Sequence, residues 1–153
     1  MAHYPDLSPY GSLGNGDSGL IAVGWLESGH EYSRGVVDRN FFARLCALLQ
    51  DPWQHAISPG VHYCNLCRFT GNGGGMFGDY RVSAVGSGFL YVPAGKTLYV
   101  SPSSIAHYVD AHEYCPPAVF QEAVLNCPEM RSQAYRRALL ATPAREWMRR
   151  KDN

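Results

Sequence analysis

The sequence predicts an α+β domain: a small antiparallel sheet with helices packed on it, arranged around a treble-clef-like zinc site. Three observations carry that expectation. Short β-patterned runs bounded by Gly and Pro turns lie between residues 80 and 100. Apolar residues recur at helical spacing on both sides of that block. A Cys-x-x-Cys pair precedes the strands, and a His-x4-His pair follows them.

Residues 1–20 are rich in Pro, Gly, Ser and Tyr. Tyr4, Leu7, Tyr10 and Leu13 give the segment something to bury, so it reads as an arm ordered by packing. Residues 21–26 form an apolar run of strand length, and Ser28-Gly29-His30 signals a turn. Asp38 can cap a helix over about 39–50, with Phe41, Phe42, Leu45, Leu48 and Leu49 as its apolar stripe. Cys46 beside that stripe reads as a small core residue, and Asp51-Pro52 ends the helix. Residues 54–79 look irregular. Their glycine cluster, Gly71 to Gly75, lacks the Gly-Lys-Ser/Thr of a phosphate-binding loop. Strands are expected at 80–84, 88–92 and 97–100.

Ser101-Pro102 predicts a helix start, a hydroxyl cap followed by a proline that needs no donor, with the helix running to Ala111 or His112. Cys115-Pro116-Pro117 interrupts it. Pro117 opens a second helix to about Asn126, and helices at about 130–141 and 144–151 complete the chain. No internal repeat or boundary appears, so 1–153 is expected as one zinc-binding domain with 131–153 as a basic helical extension.

Composition narrows the function classes. The chain has 153 residues, 46% hydrophobic and 17% charged, which suits one globular domain and not a disordered chain. Zero formal net charge argues against nucleic-acid binding by bulk charge. That zero is divided, however. Residues 131–153 carry seven bases and two acids, while 1–130 carry six bases and eleven acids. An acidic body with a basic end suits self-association or an acidic partner, although basic residues also simply favour helix C-termini. The N-terminus lacks a charged start and an apolar run, and no stretch nears the roughly 18 apolar residues of a membrane span. The expectation is a cytoplasmic protein without a membrane segment. Its five cysteines then read as thiols or metal ligands rather than disulfides.

The expected ligands are Cys64, Cys67, His107 and His112. Thiolate and imidazole suit zinc's borderline-soft character, and four such donors close a tetrahedral shell without an open position. Iron is the other metal a Cys2His2 set can take. A redox Cys-x-x-Cys normally opens a helix after a strand, and nothing starts a helix at Cys64. His62 and Cys115 stand close enough in sequence to replace a named ligand. The gap of 39 residues between Cys67 and His107 is long. Residues five apart on a helix also point about 140° from each other, so His112 is expected at or beyond a frayed helix end.

A catalytic site would need a vacancy and a base, with His62, Asp110 or Glu113 available. The His-Glu-x-x-His, zinc-deaminase and Gly-x-Ser-x-Gly patterns are all absent.

The segments Tyr4-Pro5-Asp6-Leu7-Ser8-Pro9-Tyr10, Val23-Gly24-Trp25-Leu26, residues 60–67 and residues 107–120 resemble those of a family of uncharacterised bacterial proteins. The resemblance covers roughly 4–125. It implies that the Cys and His positions belong to a shared frame, and it implies no activity. The position of Cys115 is usually not cysteine in that family, which counts against it as a ligand.

The functional expectation is a zinc-stabilised cytoplasmic adaptor or regulatory protein, of the immunity type for example, that docks a protein partner. Its motivation is the missing catalytic pattern together with ten tyrosines and three tryptophans to furnish contact surface. A hydrolase with a three-ligand zinc, and nucleic-acid binding through the basic end, are the alternatives.

Overall fold

The computed structural model describes residues 3–11, 19–55, 64–67, 75–82 and 88–151. Ten elements follow one another there: β1 (Leu20–Ala22), α1 (Arg39–Leu48), β2 (Gly75–Phe77), β3 (Tyr80–Val82), β4 (Phe89–Ala94), β5 (Thr97–Pro102), α2 (Ile105–His112), α3 (Ala118–Asn126), α4 (Gln133–Leu140) and α5 (Ala144–Lys151). The class is α+β, as expected.

The main sheet differs from the expected antiparallel one: it is mixed, in the order β1-β5-β4. Strands β4 and β5 form an antiparallel hairpin turned at Gly95, which adopts φ 61°. Strand β1 joins β5 in parallel, Leu20 opposite Leu98 and Ala22 opposite Val100. A parallel partner needs a long crossover. The 74 residues between β1 and β5, which include α1, supply it.

Of the first apolar run only Ile21 and Ala22 form a strand, which begins one residue earlier at Leu20. Gly24 leaves the sheet at φ 84°, and a Cβ there would lie 2.9 Å from Ile105 Cδ1. The run stays buried beyond the strand, with Val23 and Trp25 in the core and the Val23 N–H donating to the Val100 carbonyl at 3.2 Å. The indole Nε1 of Trp25 donates to the same carbonyl at 2.8 Å.

The helices follow their signals closely, with one exception. Asp38 Oδ1 accepts from the Asn40 N–H at 2.8 Å and starts α1. Phe41, Leu45, Leu48 and Leu49 are buried, and Cys46 lies among them. The exception is α2, which begins at Ile105 and not after Ser101. Ser101 and Pro102 instead pair with Leu90 and Phe89 and extend β5. Strand β2 falls in a stretch expected to be irregular and pairs with β3, which starts at the expected residue 80, so that Phe77 lies opposite Tyr80.

The core gathers both layers. Leu90, Val92, Leu98 and Val100 of the sheet meet Phe41 and Leu45 of α1, Ile105 and Tyr108 of α2, and Phe120 and Val124 of α3. The basic C-terminal helices belong to it too. Ser132 Oγ accepts from the Tyr135 N–H at 3.1 Å to cap α4. Tyr135 is buried and donates its hydroxyl to the Tyr91 carbonyl at 2.6 Å. Leu139 and Ala144 are buried, and Trp147 packs edge-on to Tyr91. Among the described residues, no helix is long and apolar enough to cross a membrane.

Candidate metal centre

The first half of the site is the turn at residues 64–67. Cys64 is buried, and its sulfur accepts hydrogen bonds from the backbone amides of Leu66 and Cys67. Burial pushes its thiol pKa up, while those two amides pull it back down. Two N–H groups aimed at one sulfur are what a thiolate needs when water is excluded. The turn is tied down from outside as well: the Ser28 N–H donates to Asn65 Oδ1 at 3.0 Å.

The second half is α2. His107 stands in its first turn and His112 is its last residue. His112 therefore stands at the helix end, where it was expected. The end is a defined cap at Glu113, which adopts the left-handed φ of 57° and returns its N–H to the Tyr108 carbonyl. Tyr32 donates its hydroxyl to the His112 carbonyl at 3.0 Å. Beyond it, Tyr114 is fully buried and donates to Asp6, whose carboxylate also accepts from the Gly24 N–H at 3.0 Å. The N-terminal arm is thereby fastened to the end of the histidine helix.

The two halves meet. Cys67 Sγ lies 3.2 Å from His107 Nε2 and 3.4 Å from His112 Nε2. Cys64 Sγ lies 3.4 Å from His112 Nε2. One ligand atom from each of Cys64, Cys67, His107 and His112 falls within 4.8 Å of all the others. A tetrahedral ion with metal–sulfur bonds of about 2.3 Å and metal–nitrogen bonds of about 2.0–2.1 Å separates sulfur from nitrogen by about 3.5 Å. The sulfur–nitrogen spacings here are therefore close to the edges of such a tetrahedron. The His107 and His112 rings stand at 82° to each other, which brings both Nε2 atoms to one point from different sides.

Electrostatics favours neutral imidazoles, the form that donates a lone pair to a metal. The His107 pKa is lowered by burial and then by His112, with Asp110 opposing. The His112 pKa is lowered by burial and then by the Arg34 guanidinium. All four donor atoms are sulfur or nitrogen, a set that suits zinc or iron and not magnesium or calcium.

The four residues singled out from sequence are thus brought together. Cys115 is not among them: its sulfur sits by Gly35 and by the Gln121 amide, 3.7 Å away. His62 lies outside the described residues. Cys46 and Cys127 are buried thiols whose pKa values rise to about 12 and about 11, chiefly through burial. Asp110 and Glu113 are exposed and point to no second cluster among the described residues. Sequence reading missed the supports: Asp6, Tyr32, Arg34 and Asn65. Each acts across a long sequence separation, and its residue type alone announces no role.

Beside the centre lies an open cleft of about 440 Å³, walled by the Ser28–His30 turn, Tyr32, Arg34, Leu66, His112 and Glu113.

The family model of a domain of unknown function, DUF7919, matches residues 2–125, and the chain belongs to that family. The matched stretch holds all four candidate ligands and ends within α3. No curated protein and no solved structure matches the chain.

Proposed function

We propose that this member of the DUF7919 family is a zinc-stabilised binding module of the cytoplasm, an adaptor or regulatory protein of the immunity type. Its ion is structural rather than catalytic. One observation carries the reading: four sulfur and nitrogen donors, and no carboxylate, within 4.8 Å of one another. A shell of two cysteines and two histidines is a closed structural zinc site. The order of elements supports a treble-clef-like description. A cysteine turn is followed by two hairpins and then by the helix that bears the second pair. Zinc clamps the 64–67 turn to α2, and the ordering of the parts between them draws on that bond.

The partner surface proposed is basic. Arg137 of α4 and Arg145 of α5 are exposed at the C-terminal end of the chain. They suit an acidic protein face. Because Tyr135, Leu139 and Ala144 of the same helices are buried, deleting residues 131–153 would damage the core. The test is therefore a double charge reversal, Arg137→Glu with Arg145→Glu, in a pull-down from the native host. A partner captured by the native chain and lost by this variant supports the reading. Equal capture by both counts against it.

A second reading, a metal-dependent hydrolase, is favoured by one observation: the open cleft reaches His112 and carries Glu113, a possible base. It requires an exchangeable water on the metal.

A further inference from the structure

The cleft beside the metal centre has a chemistry of its own. Arg34 stands on its wall with the guanidinium carbon 4.6 Å from the centre of the Tyr32 ring. A guanidinium stacked on a ring by its face can still donate in its own plane. Among the described residues, no carboxylate lies within ion-pair distance of Arg34, although Glu31 and Glu113 line the same loop and cleft. An exposed arginine beside acids ordinarily swings onto one of them. Here it rests on the aromatic ring instead, as a lining residue of the cleft.

The backbone that carries Arg34 is fixed as well. Arg34 bridges to Tyr114, the Cys115 N–H donates to the Ser33 carbonyl at 2.9 Å, and the Gly35 N–H donates to the Glu113 carbonyl at 3.0 Å. At the other end of the loop, Ser28 is held by Asn65 of the cysteine turn. The wall is built before any ligand arrives, which removes most of the ordering cost of binding.

Charge restricts the ligand. Glu31 and Glu113 beside Arg34 would repel a chain of phosphates, so a nucleic acid does not fit. A compact group with two in-plane oxygens does fit the guanidinium fork. The cleft volume of about 440 Å³ lies within the range of small-molecule sites. We propose that this cleft binds a small molecule through a carboxylate or phosphate group held by Arg34. This inference goes beyond the structural-metal reading and does not depend on which ion the four donors hold.

The test is calorimetric titration of the full-length, metal-loaded protein with inorganic phosphate and, separately, with succinate. Saturable one-to-one binding of at least one anion is expected. Arg34→Gln should weaken it by about tenfold or more, the usual effect of losing a charge-assisted bidentate contact. Arg34→Lys, which keeps charge and stem, should weaken it less. Arg81→Gln, at an exposed position of β3, should leave it unchanged. Tighter binding of phosphate identifies a phosphate ligand, and tighter binding of succinate a carboxylate. Absence of saturable binding for both anions overturns the proposal, as does equal binding by Arg34→Gln and the native chain. Metal content measured on the same samples separates the two readings, because anion binding by a metal-free protein would leave the cleft standing and remove the zinc.

Discussion

At the scale of single residues, Asp6 does more than its place in a Pro-rich arm suggests. It accepts from the Tyr114 hydroxyl at 2.8 Å and from the Gly24 N–H at 3.0 Å. Asp6→Ala would leave a buried hydroxyl without a partner and should cost about 2 kcal/mol in urea unfolding. Asp6→Asn, which keeps an acceptor, should cost less. The cysteines divide by environment in the same way. At neutral pH, Cys46 and Cys127 are protonated and buried, so alkylation followed by mass spectrometry should label Cys115 before either. Cys64 and Cys67 should become reactive only after a chelator is added. The histidines set a pH window. Their folded pKa values lie below the ordinary imidazole value, so the unfolded chain binds protons that the folded one refuses. Stability should hold above about pH 6.5 and fall as pH drops below it, steepened by proton competition for the metal. Thermal melts across that range read the slope directly.

At the scale of elements, the helices were the most legible. Asp38 and Pro117 mark starts that coincide with α1 and α3. Asp38→Ala should lower stability by about 1 kcal/mol, measurable in the same urea titration. The sheet was less legible, and the misses have physical causes. Ser101-Pro102 has the chemistry of a helix cap, but its pairing with Phe89 and Leu90 across the hairpin outweighs that local preference. Strand β2 follows a glycine cluster, and glycine carries no apolar period to read. The parallel placement of β1 depends on contacts about 78 residues away in sequence, which no local pattern encodes. Gly24 shows the same dependence. Only the fold reveals that Ile105 fills the space a side chain would need, so Gly24→Ala should destabilise through both strain and contact. The candidate metal site was legible because thiol and imidazole pairs advertise their chemistry at fixed spacings. Its supports at Tyr32, Arg34 and Asn65 were not, since tyrosine, arginine and asparagine occur on any surface.

At the scale of the whole molecule, the site is a junction. The cysteine turn reaches the Ser28 loop through Asn65, and the histidine helix reaches Tyr32 and, through Tyr114, Asp6. Loss of the ion should therefore loosen more than the turn that carries two of its ligands. Cys64→Ser should lose the metal and lower the melting temperature by about 10 °C or more. The measurement that tests the account most directly is metal content of the purified protein together with X-ray absorption at the zinc edge. The account predicts one zinc per chain with two sulfur and two nitrogen neighbours and no oxygen. A protein that folds cooperatively without any metal would contradict it, and an oxygen in place of one donor would shift the site from a structural clamp to a catalytic centre.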